Sequence, residues 1–458
     1  MFTVKDVLMS TKGRLLSGNQ SDILMGISTD TRRIKGGELF LAIKGQRFDG
    51  HNFLLDAVSR GAGGVLVQDG CIANSKFKLP EVSFISVPDS IKALGDIAHF
   101  HRSRFNIPVI GITGSNGKTT TKEMTAAILS KRFNVLKNFG TENNHIGVPL
   151  TLMRLKPEHK IAVLELGTNH LGEVRRLSEI ARPSVALITN IGLSHLEHLK
   201  DMDTILKAKT EILESLDKDA KVIVNADDKS LKKIKTKLKL IKFGLDKKAD
   251  FTADKVNVEP DGISFRLNGK WKIEMSVAGR HSVYNALAAI AASWGFGLSI
   301  EEIIEALREF RGPSMRMEVK RFGDIKIIND TYNSNPLSMR HAIEALKDMT
   351  TKGRKILVAG DMLELGNLSG RFHHLVGRQA AESGIDLIVA VGKLAEHVSR
   401  GAQEAGMSQK KIKMFNLTKD ARETMTNLIK KGDVVLVKGS RAMKMEEIVQ
   451  GLETLFKD

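Results

Sequence analysis

Short apolar runs, each followed by a longer helix-like stretch, constrain the fold of this chain more than any other feature. The runs are Ile107–Thr113, Ile161–Gly167, Val185–Gly192, Val222–Asp228, Ile356–Met362, Leu387–Gly392 and Val434–Ser440. Nearly continuous Val, Ile and Leu are typical of strands buried on both faces, so the pattern predicts parallel sheets joined by crossover helices. Most runs end on Gly, Thr, Asn or Asp, at the strand end where open α/β sheets bind ligands.

Breaks in this pattern predict the domain organisation. A length of 458 residues suggests about three domains of roughly 150 residues. The first 100 residues contain a strand, a turn-rich loop, a helix and a strand, and a later helix-like segment, Glu301–Phe310, stops at Gly312-Pro313. The sequence therefore predicts an α/β chain of three domains: a small α/β domain (1–104), a central parallel-sheet domain (105–314) and a Rossmann-like domain (315–458).

Composition limits the partners and the compartment. Seventy Lys and Arg against 53 Asp and Glu give a net charge of +17, which favours nucleic acid, a membrane surface or phosphorylated and carboxylated small molecules as partners. Cys71 is the one cysteine, so no intrachain disulfide is possible and a reducing compartment fits. The first residues lack a signal-peptide core, and the apolar stretch 286–300 is too short and interrupted to span a bilayer. We expect a cytoplasmic protein without integral membrane contact.

The segment GITGSNGKTTT, Gly111 to Thr121, lies between an apolar strand and a helix-like stretch, as a phosphate-binding loop does. Glycines let backbone N–H groups approach phosphate oxygens, and the helix N-terminus adds partial positive charge. Lys118 would reach the β- and γ-phosphates and Thr119 would ligate Mg²⁺. Ile112 stands where the standard motif has Gly, and the alternative is a glycine-rich turn without ligand. The candidate nucleotide-binding residues are Gly114, Ser115, Asn116, Gly117, Lys118, Thr119 and Thr120.

Two further side chains follow neighbouring predicted strands. Glu165 ends one apolar run and His195 follows another, which would place both at the same sheet edge as Lys118. The alternative for a lone loop histidine is a surface or capping role. No N-K-x-D motif follows the phosphate loop, so a GTPase is disfavoured.

Several segments together resemble the Mur ligases of peptidoglycan synthesis. They are TGSNGKTT (113–120), NIGLSHLEHL (190–199), KAKTEIL (207–213), GRHSVYNALAAIA (279–291) and GPSMRME (312–318). Agreement of several motifs, in order and across the chain, is far more specific than any one of them.

Within that family the chain resembles the F-type ligases, which join D-alanyl-D-alanine to a UDP-muramoyl-tripeptide. The segments behind this are the N-terminal stretch 28–53, NDTYNSNPLSM (329–339) and GDMLELG (360–366). The D-N-P-R signature of E-type ligases is absent. An E-type ligase that adds a diamino acid, or another amide ligase of the superfamily, stays the alternative. A nucleic-acid-binding P-loop protein is a third reading, but aromatic residues make up only 5% of the chain and no basic stretch is interleaved with them.

The resemblance implies ATP-driven amide formation through an acyl phosphate. A carboxylate and a triphosphate must meet, so Lys118, Mg²⁺ and Arg316 are the expected cations. Two Mg²⁺ ions are implied, with Thr119, Glu165, His195 and Lys209 as ligands. Lys209 would act as a carbamate, whereas the residues alone favour a solvated helix face for Lys209 and Lys207.

The other implied roles concern the substrates. Asn285 would lie beside adenine, and Asp330 and Asn333 beside the nucleotide in a closed enzyme. The expected contacts to the peptide or acyl phosphate and to the uridine nucleotide come from Thr31, Gln46, Arg47, Phe48, Asn143, Asn144 and Asn335. The expected partners are these small molecules and no nucleic acid, and the chain is expected to act as a monomer.

Overall fold

The computed structural model describes residues 1–45, 48–71, 82–194, 196–245, 248–259 and 262–456. The N-terminal stretch contains β1 (Phe2–Thr3), α1 (Val4–Thr11), β2 (Arg14–Ser17), β3 (Ile23–Leu24), β4 (Ile27–Ser28), β5 (Leu39–Leu41), α2 (Leu54–Ser59), β6 (Gly64–Gln68), β7 (Ser83–Val87) and α3 (Ser90–Ser103). The predicted strand, loop, helix and strand of this stretch are β5, α2 and β6 with the loop before α2.

The central stretch begins with the strand before the phosphate loop. It contains β8 (Val109–Thr113), α4 (Lys118–Leu129), β9 (Val135–Lys137), α5 (Gly147–Leu152), β10 (Ile161–Glu165), α6 (Glu173–Ala181), β11 (Val185–Ile188), α7 (Leu196–Leu199), α8 (Met202–Thr210), β12 (Lys221–Asn225), β13 (Lys239–Gly244), β14 (Phe251–Glu259), β15 (Gly262–Leu267), β16 (Trp271–Met275), α9 (His281–Ser293) and α10 (Ile300–Glu309).

The C-terminal stretch alternates strands and helices almost throughout. It contains β17 (Glu318–Phe322), β18 (Ile325–Asp330), α11 (Pro336–Asp348), β19 (Lys355–Gly360), α12 (Ser369–Glu382), β20 (Leu387–Val391), α13 (Ala395–Glu404), β21 (Ile412–Phe415), α14 (Thr418–Leu428), β22 (Val434–Lys438) and α15 (Glu446–Phe456). Each apolar run named above contains a strand, because Val, Ile and Leu can be buried on both faces of a sheet covered by helices.

The chain forms two compact units. The first comprises Met1–Gly111, Asn134–Gly167 and Glu173–Ser184. Its main sheet has the order β2-β7-β6-β5-β4, in which β4 to β7 are parallel and β2 is antiparallel to β7. Helix α3 covers this sheet with its apolar face, and the Asp89 carboxylate caps the helix by accepting from the Lys92 N–H at 2.9 Å. Strands β9 and β10 form a parallel pair in the same unit.

The second unit comprises Ile112–Phe133, Thr168–Gly172 and Val185–Asp458. Strands β11, β12, β13 and β14 pair in parallel, and β15 and β16 continue the sheet as antiparallel strands. A second sheet has the order β17-β18-β22-β19-β20-β21, parallel except for β17. The carboxyl ends of β18, β22 and β19 are therefore neighbours, with Asp330 opposite Lys438 in the register of β18 and β22.

The predicted α/β class with parallel sheets is confirmed. The limits 1–104, 105–314 and 315–458 of the expected domains stay predictions. Within the residues that the structure describes, no helix has the length and apolar character that crossing a membrane requires.

Candidate active site

The predicted phosphate loop joins a buried strand to a helix. Strand β8 ends at Thr113, and α4 begins at Lys118 with Gly117 as its N-cap residue. Gly114 and Gly117 have φ angles of 136° and 81°, where side chains other than hydrogen are strained. A Cβ at Gly114 would also collide with the Thr189 side chain, and one at Gly117 with the Asn285 side chain. Both glycines are thus required by backbone conformation and by close packing.

Residues that follow strand β11 hold the loop in place. The Asn116 N–H donates to Oδ1 of Asn190 at 3.0 Å, and Nδ2 of Asn190 donates back to the Asn116 carbonyl at 3.0 Å. The Thr189 hydroxyl donates to the same carbonyl at 2.6 Å, and the Ser115 N–H donates to the Asn190 carbonyl at 2.9 Å. Thr189 and Asn190 were given no role from the sequence alone, because their pairing with the loop depends on strand order.

Lys118 and Thr119 occupy the first turn of α4. The Lys118 ammonium donates to the carbonyls of Gly114 at 2.8 Å and Ser115 at 3.3 Å, so the side chain folds back over the loop. Thr119 is buried. An ammonium and a helix N-terminus at one loop form an electropositive site for an anion.

Buried polar atoms without hydrogen-bond partners indicate whether the phosphate loop suits a phosphate ligand. Within the described residues, Nδ2 of Asn116 and Oγ1 of Thr113 are buried without a hydrogen-bond partner, and so is Oγ of Ser334 beside Asn335. A buried unpaired donor costs about 1–3 kcal/mol, so these atoms are suited to a ligand rich in acceptor oxygens. The donors agree with a bound polyphosphate.

Helix α9 places Asn285 beside the phosphate loop. Its side chain is 7% exposed, and Oδ1 accepts from the Thr121 hydroxyl at 3.4 Å. Asn285 therefore lies inside a helix and next to Gly117. Its contact with adenine stays a prediction.

Arg316 lies in a strained turn of the linker before β17. Met315 and Met317 have φ angles of 58° and 53°, a left-handed conformation that costs a non-glycine residue free energy. The Arg316 guanidinium stacks over the Tyr332 ring, 4.0 Å from its centroid, and the Tyr332 N–H donates to the Met315 carbonyl at 3.1 Å. This turn fixes the direction of the Arg316 side chain.

Asp330 ends β18, and Asn333 and Asn335 lie in the loop between β18 and α11. Nδ2 of Asn335 donates to Oδ1 of Asn116 in the phosphate loop at 2.8 Å. Asp330 accepts from the Lys438 ammonium at 2.6 Å, and Oδ1 of Asn333 accepts from the Ser334 N–H at 2.8 Å. Of the three, the structure brings Asn335 into direct contact with the phosphate loop.

The two lysines at the end of α8 differ in exposure. Lys209 is 1% exposed, whereas Lys207 is exposed to solvent. The alternative of a solvated helix face is therefore wrong for Lys209. Glu211 is buried in the next turn, and its Oε1 accepts from the Gly172 N–H at 2.7 Å.

Glu165 ends β10 in the first compact unit and is 1% exposed. Its Oε1 accepts from Nδ2 of Asn143 at 2.7 Å. The Asn138 side chain binds the Glu165 backbone on both sides, accepting from its N–H at 2.9 Å and donating to its carbonyl at 3.0 Å. Asn144 binds the start of α5, since its Oδ1 accepts from the Ile146 and Gly147 N–H groups. Sequence reasoning missed Asn138.

Of the remaining predicted site residues, the structure describes some, and the others lie outside the described residues. Thr31 is buried in a short 3₁₀ turn that begins after Asp30, and Phe48 is 75% exposed. Gln46, Arg47 and His195 lie outside the described residues. Over the described ranges, no group of three His, Cys, Asp or Glu side chains is arranged to hold a metal ion. The Mg²⁺ ligand set thus stays a prediction.

A pair of histidines links α9 to α11. The rings of His281 and His341 stack at 5.8 Å between centroids, with an interplanar angle of 4°. Burial, then the positive charge of Lys438, lowers the pKa of His281 to about 4. Burial, then the charges of His281, Arg340 and Lys438, lowers the pKa of His341 to about 3. Both rings are neutral near pH 7, which lets them stack without repulsion.

The strand–loop–helix geometry, its glycines and its lysine define a P-loop nucleotide-binding protein with an α/β fold. Family models agree with each part of the chain: the Mur ligase family catalytic domain at residues 24–102, the Mur ligase middle domain at 112–293 and the Mur ligase glutamate ligase domain at 315–441. The chain belongs to the Mur ligase family and is therefore a ligase enzyme.

Individual relatives match nearly the whole chain. The UDP-N-acetylmuramoyl-tripeptide–D-alanyl-D-alanine ligase of Bacillus subtilis (strain 168) is 37% identical over 98% of both chains, and that of Escherichia coli (strain K12) is 36% identical over 94% of both. Among solved structures, MurF from Acinetobacter baumannii superposes with a TM-score of 0.89 at 33% identity over 99% of both chains. MurF from Thermotoga maritima in complex with ADP gives 0.83 at 27% identity over 94% of this chain and 98% of that one.

Proposed function

We propose that this chain joins D-alanyl-D-alanine to UDP-N-acetylmuramoyl-tripeptide, with cleavage of ATP to ADP and phosphate. The observation that carries this proposal is the full-length similarity to ligases of that name, 37% identical in the Bacillus subtilis relative. The phosphate loop adds independent support, because it offers an ammonium, a helix N-terminus and unpaired donors to a polyphosphate.

The reaction has two steps. An oxygen of the peptide carboxylate attacks the γ-phosphorus of ATP, and the bond from this phosphorus to the bridging oxygen of the β-phosphate breaks. ADP departs, and the peptide carries an acyl phosphate. The amine of D-Ala-D-Ala then attacks the acyl carbon, the C–O bond to phosphate breaks, and the amine loses a proton. The first step brings two anions together, so catalysis depends on positioning and on positive charge. We assign this charge to Lys118 at the loop and to Arg316 in the turn before β17.

Mg²⁺ would be held by Thr119, Glu165, His195 and Lys209. A hydroxyl and a carboxylate suit this cation, which prefers oxygen. The Thr119 side chain is buried in the first turn of α4, and the Glu165 side chain is buried at the end of β10. An amine does not suit it, so Lys209 fits only as a carbamate with carboxylate-like oxygens. When bound, Mg²⁺ neutralises phosphate charge. Burial of Lys209, in contrast with exposed Lys207, supports a specific role for Lys209.

The proposed reaction also assigns residues to the acyl phosphate, the uridine nucleotide and ATP. Asn143 is hydrogen-bonded to the Glu165 carboxylate and is assigned with Asn144 to the acyl-phosphate end, although Asn144 itself binds the start of α5. Phe48 has an exposed ring that can stack on uracil. The residues assigned to the uridine nucleotide are Phe48, Gln46, Arg47 and Thr31. The nucleotide sugar would occupy the 1–104 domain, and ATP the 105–314 domain with Asn285, Asp330 and Asn333. We assign the enzyme to the cytoplasm as a monomer.

Phosphate release tests the proposal. The purified chain is given ATP, UDP-muramoyl-tripeptide and D-Ala-D-Ala, and each is omitted in turn. The proposal expects phosphate and a pentapeptide product only with all three. Turnover with UDP-muramoyl-dipeptide and a diamino acid, but not with this set, would instead establish the E-type alternative.

A further inference from the structure

Lys438 is a buried cation outside the residues assigned to the substrates and to Mg²⁺. It is the last residue of β22, and its side chain is 2% exposed. Its ammonium donates to Oδ2 of Asp330 at 2.6 Å and to the carbonyl of Asn333 at 2.9 Å. Because an ammonium loses several kcal/mol of hydration on burial, these charge-assisted hydrogen bonds are required to hold it there.

These two bonds reach two separate parts of the candidate site. The other oxygen of Asp330 accepts from the Met317 N–H at 3.1 Å, which ties Lys438 through Asp330 to the strained turn that carries Arg316. The bond to Asn333 fixes the loop two residues before Asn335. Lys438 thus connects the Arg316 turn with the loop that contacts the phosphate loop.

We propose that Lys438 is a positioning residue for phosphoryl transfer. Its ammonium holds the Arg316 turn and the Asn335 contact in one arrangement, so that both meet the nucleotide together. The inference rests on the proposed ATP-dependent function, but it concerns alignment of the site and not substrate identity. Misalignment of a reacting group by about 1 Å can lower a rate about 100-fold.

Lys438→Met tests the inference, with Lys431→Met as the matched control. Lys431 precedes β22 and pairs with Asp324 at 3.3 Å on the exposed surface, so its loss should leave the kinetics unchanged. We expect Lys438→Met to lower kcat about 100-fold while KM for the UDP-peptide changes by less than about twofold. The kcat is calculated per folded enzyme, so a loss of stability alone would leave both kcat and KM unchanged.

A second measurement keeps the inference separate from the proposed substrates. Deuterium uptake at residues 315–335 should rise in folded Lys438→Met and not in Lys431→Met, and this readout requires no acceptor substrate. If wild type is inactive with the proposed substrates, the function fails while the uptake still tests the inference. If Lys438→Met does not fold, Lys438→Gln is measured by the same criteria. Wild-type kcat with unchanged uptake in the folded variant would overturn the positioning role.

Discussion

Nδ2 of Asn335 donates a hydrogen bond to Oδ1 of Asn116 at 2.8 Å, across a sequence separation of 219 residues. The other end of the same side chain caps α11, since Oδ1 of Asn335 accepts from the Ser338 N–H at 2.9 Å. One amide therefore joins the start of a C-terminal helix to the phosphate loop. The helix cap and the loop contact can be separated by substitution.

Asn335→Asp keeps the cap oxygen and removes the donor to Asn116. We expect its unfolding free energy to stay within about 0.5 kcal/mol of wild type, because Asn and Asp are similar N-caps. Its kcat should fall at least about tenfold, since a carboxylate would face Oδ1 of Asn116 near the phosphates. Urea unfolding and steady-state kinetics measure the two effects.

Asn335→Ala provides the comparison, because it removes both contacts. It should lose about 1 kcal/mol of stability as well as activity. If both variants keep wild-type kcat, the contact between Asn335 and Asn116 has no part in the reaction.

Lys118→Ala should abolish ligation and leave the fold intact. The Lys118 ammonium donates to the Gly114 and Ser115 carbonyls, which places its positive charge at the phosphate loop. Phosphate release should fall by at least about 1,000-fold, with an unchanged circular dichroism spectrum. Near-wild-type turnover in the folded variant would contradict the nucleotide assignment.

Lys209→Ala should be nearly inactive and partly restored by added short carboxylates, which can replace carbamate oxygens. Lys207→Ala is the matched control, two residues away on the same helix but exposed, and it should retain full activity. Activity is measured with and without acetate or formate. A fully active Lys209→Ala would remove the carbamate role from the mechanism.

The sequence predicted the strands that carry the site, because runs of Val, Ile and Leu have few alternatives to a sheet covered on both faces. It also predicted the phosphate loop, because glycines between a strand and a helix are typical of that turn. The antiparallel strands β15 and β16 were not predicted, although apolar and polar residues alternate along both of them in the sequence.

Residues that act through partners distant in sequence could not be found from the chain alone. Lys438 lies in an apolar run that predicts a strand, but its pairing with Asp330 requires β22 to lie beside β18. Asn138 binds Glu165 only because β9 and β10 are neighbours. Burial likewise separates Lys209 from Lys207, whereas their spacing in the sequence gives no such distinction.

Stability should fall with falling pH through the stacked histidines. The pKa values of His281 and His341 are lowered to about 4 and about 3 from 6.5. Above pH 6.5 folded and unfolded chains are both neutral at these rings, so the full stability is present. Below it the unfolded chain binds protons that the folded chain does not, and stability is lost down to about pH 4 for His281 and about pH 3 for His341.

His341→Phe tests this, because it keeps an aromatic ring against His281 without the titrating nitrogen. Its urea midpoint should fall less than that of wild type between pH 7.5 and pH 5. The exposed His145 offers a control, and His145→Asn should follow the wild-type curve. Parallel curves for wild type and His341→Phe would count against the stacked pair as the origin of the effect.

Ligand binding should close the chain about the linker after Gly312-Pro313. In the second compact unit the Asn335 amide meets the phosphate loop, so a more open chain must break the bond to Asn116. Bound ATP would stabilise the closed arrangement by meeting the loop and Arg316 together, and closure would protect a hydrolysable acyl phosphate from water. We therefore expect ATP with the UDP-peptide to lower the radius of gyration in small-angle scattering, and Asn335→Ala to need more ligand for the same change. An unchanged radius in wild type, with binding confirmed by calorimetry, would favour a preformed site.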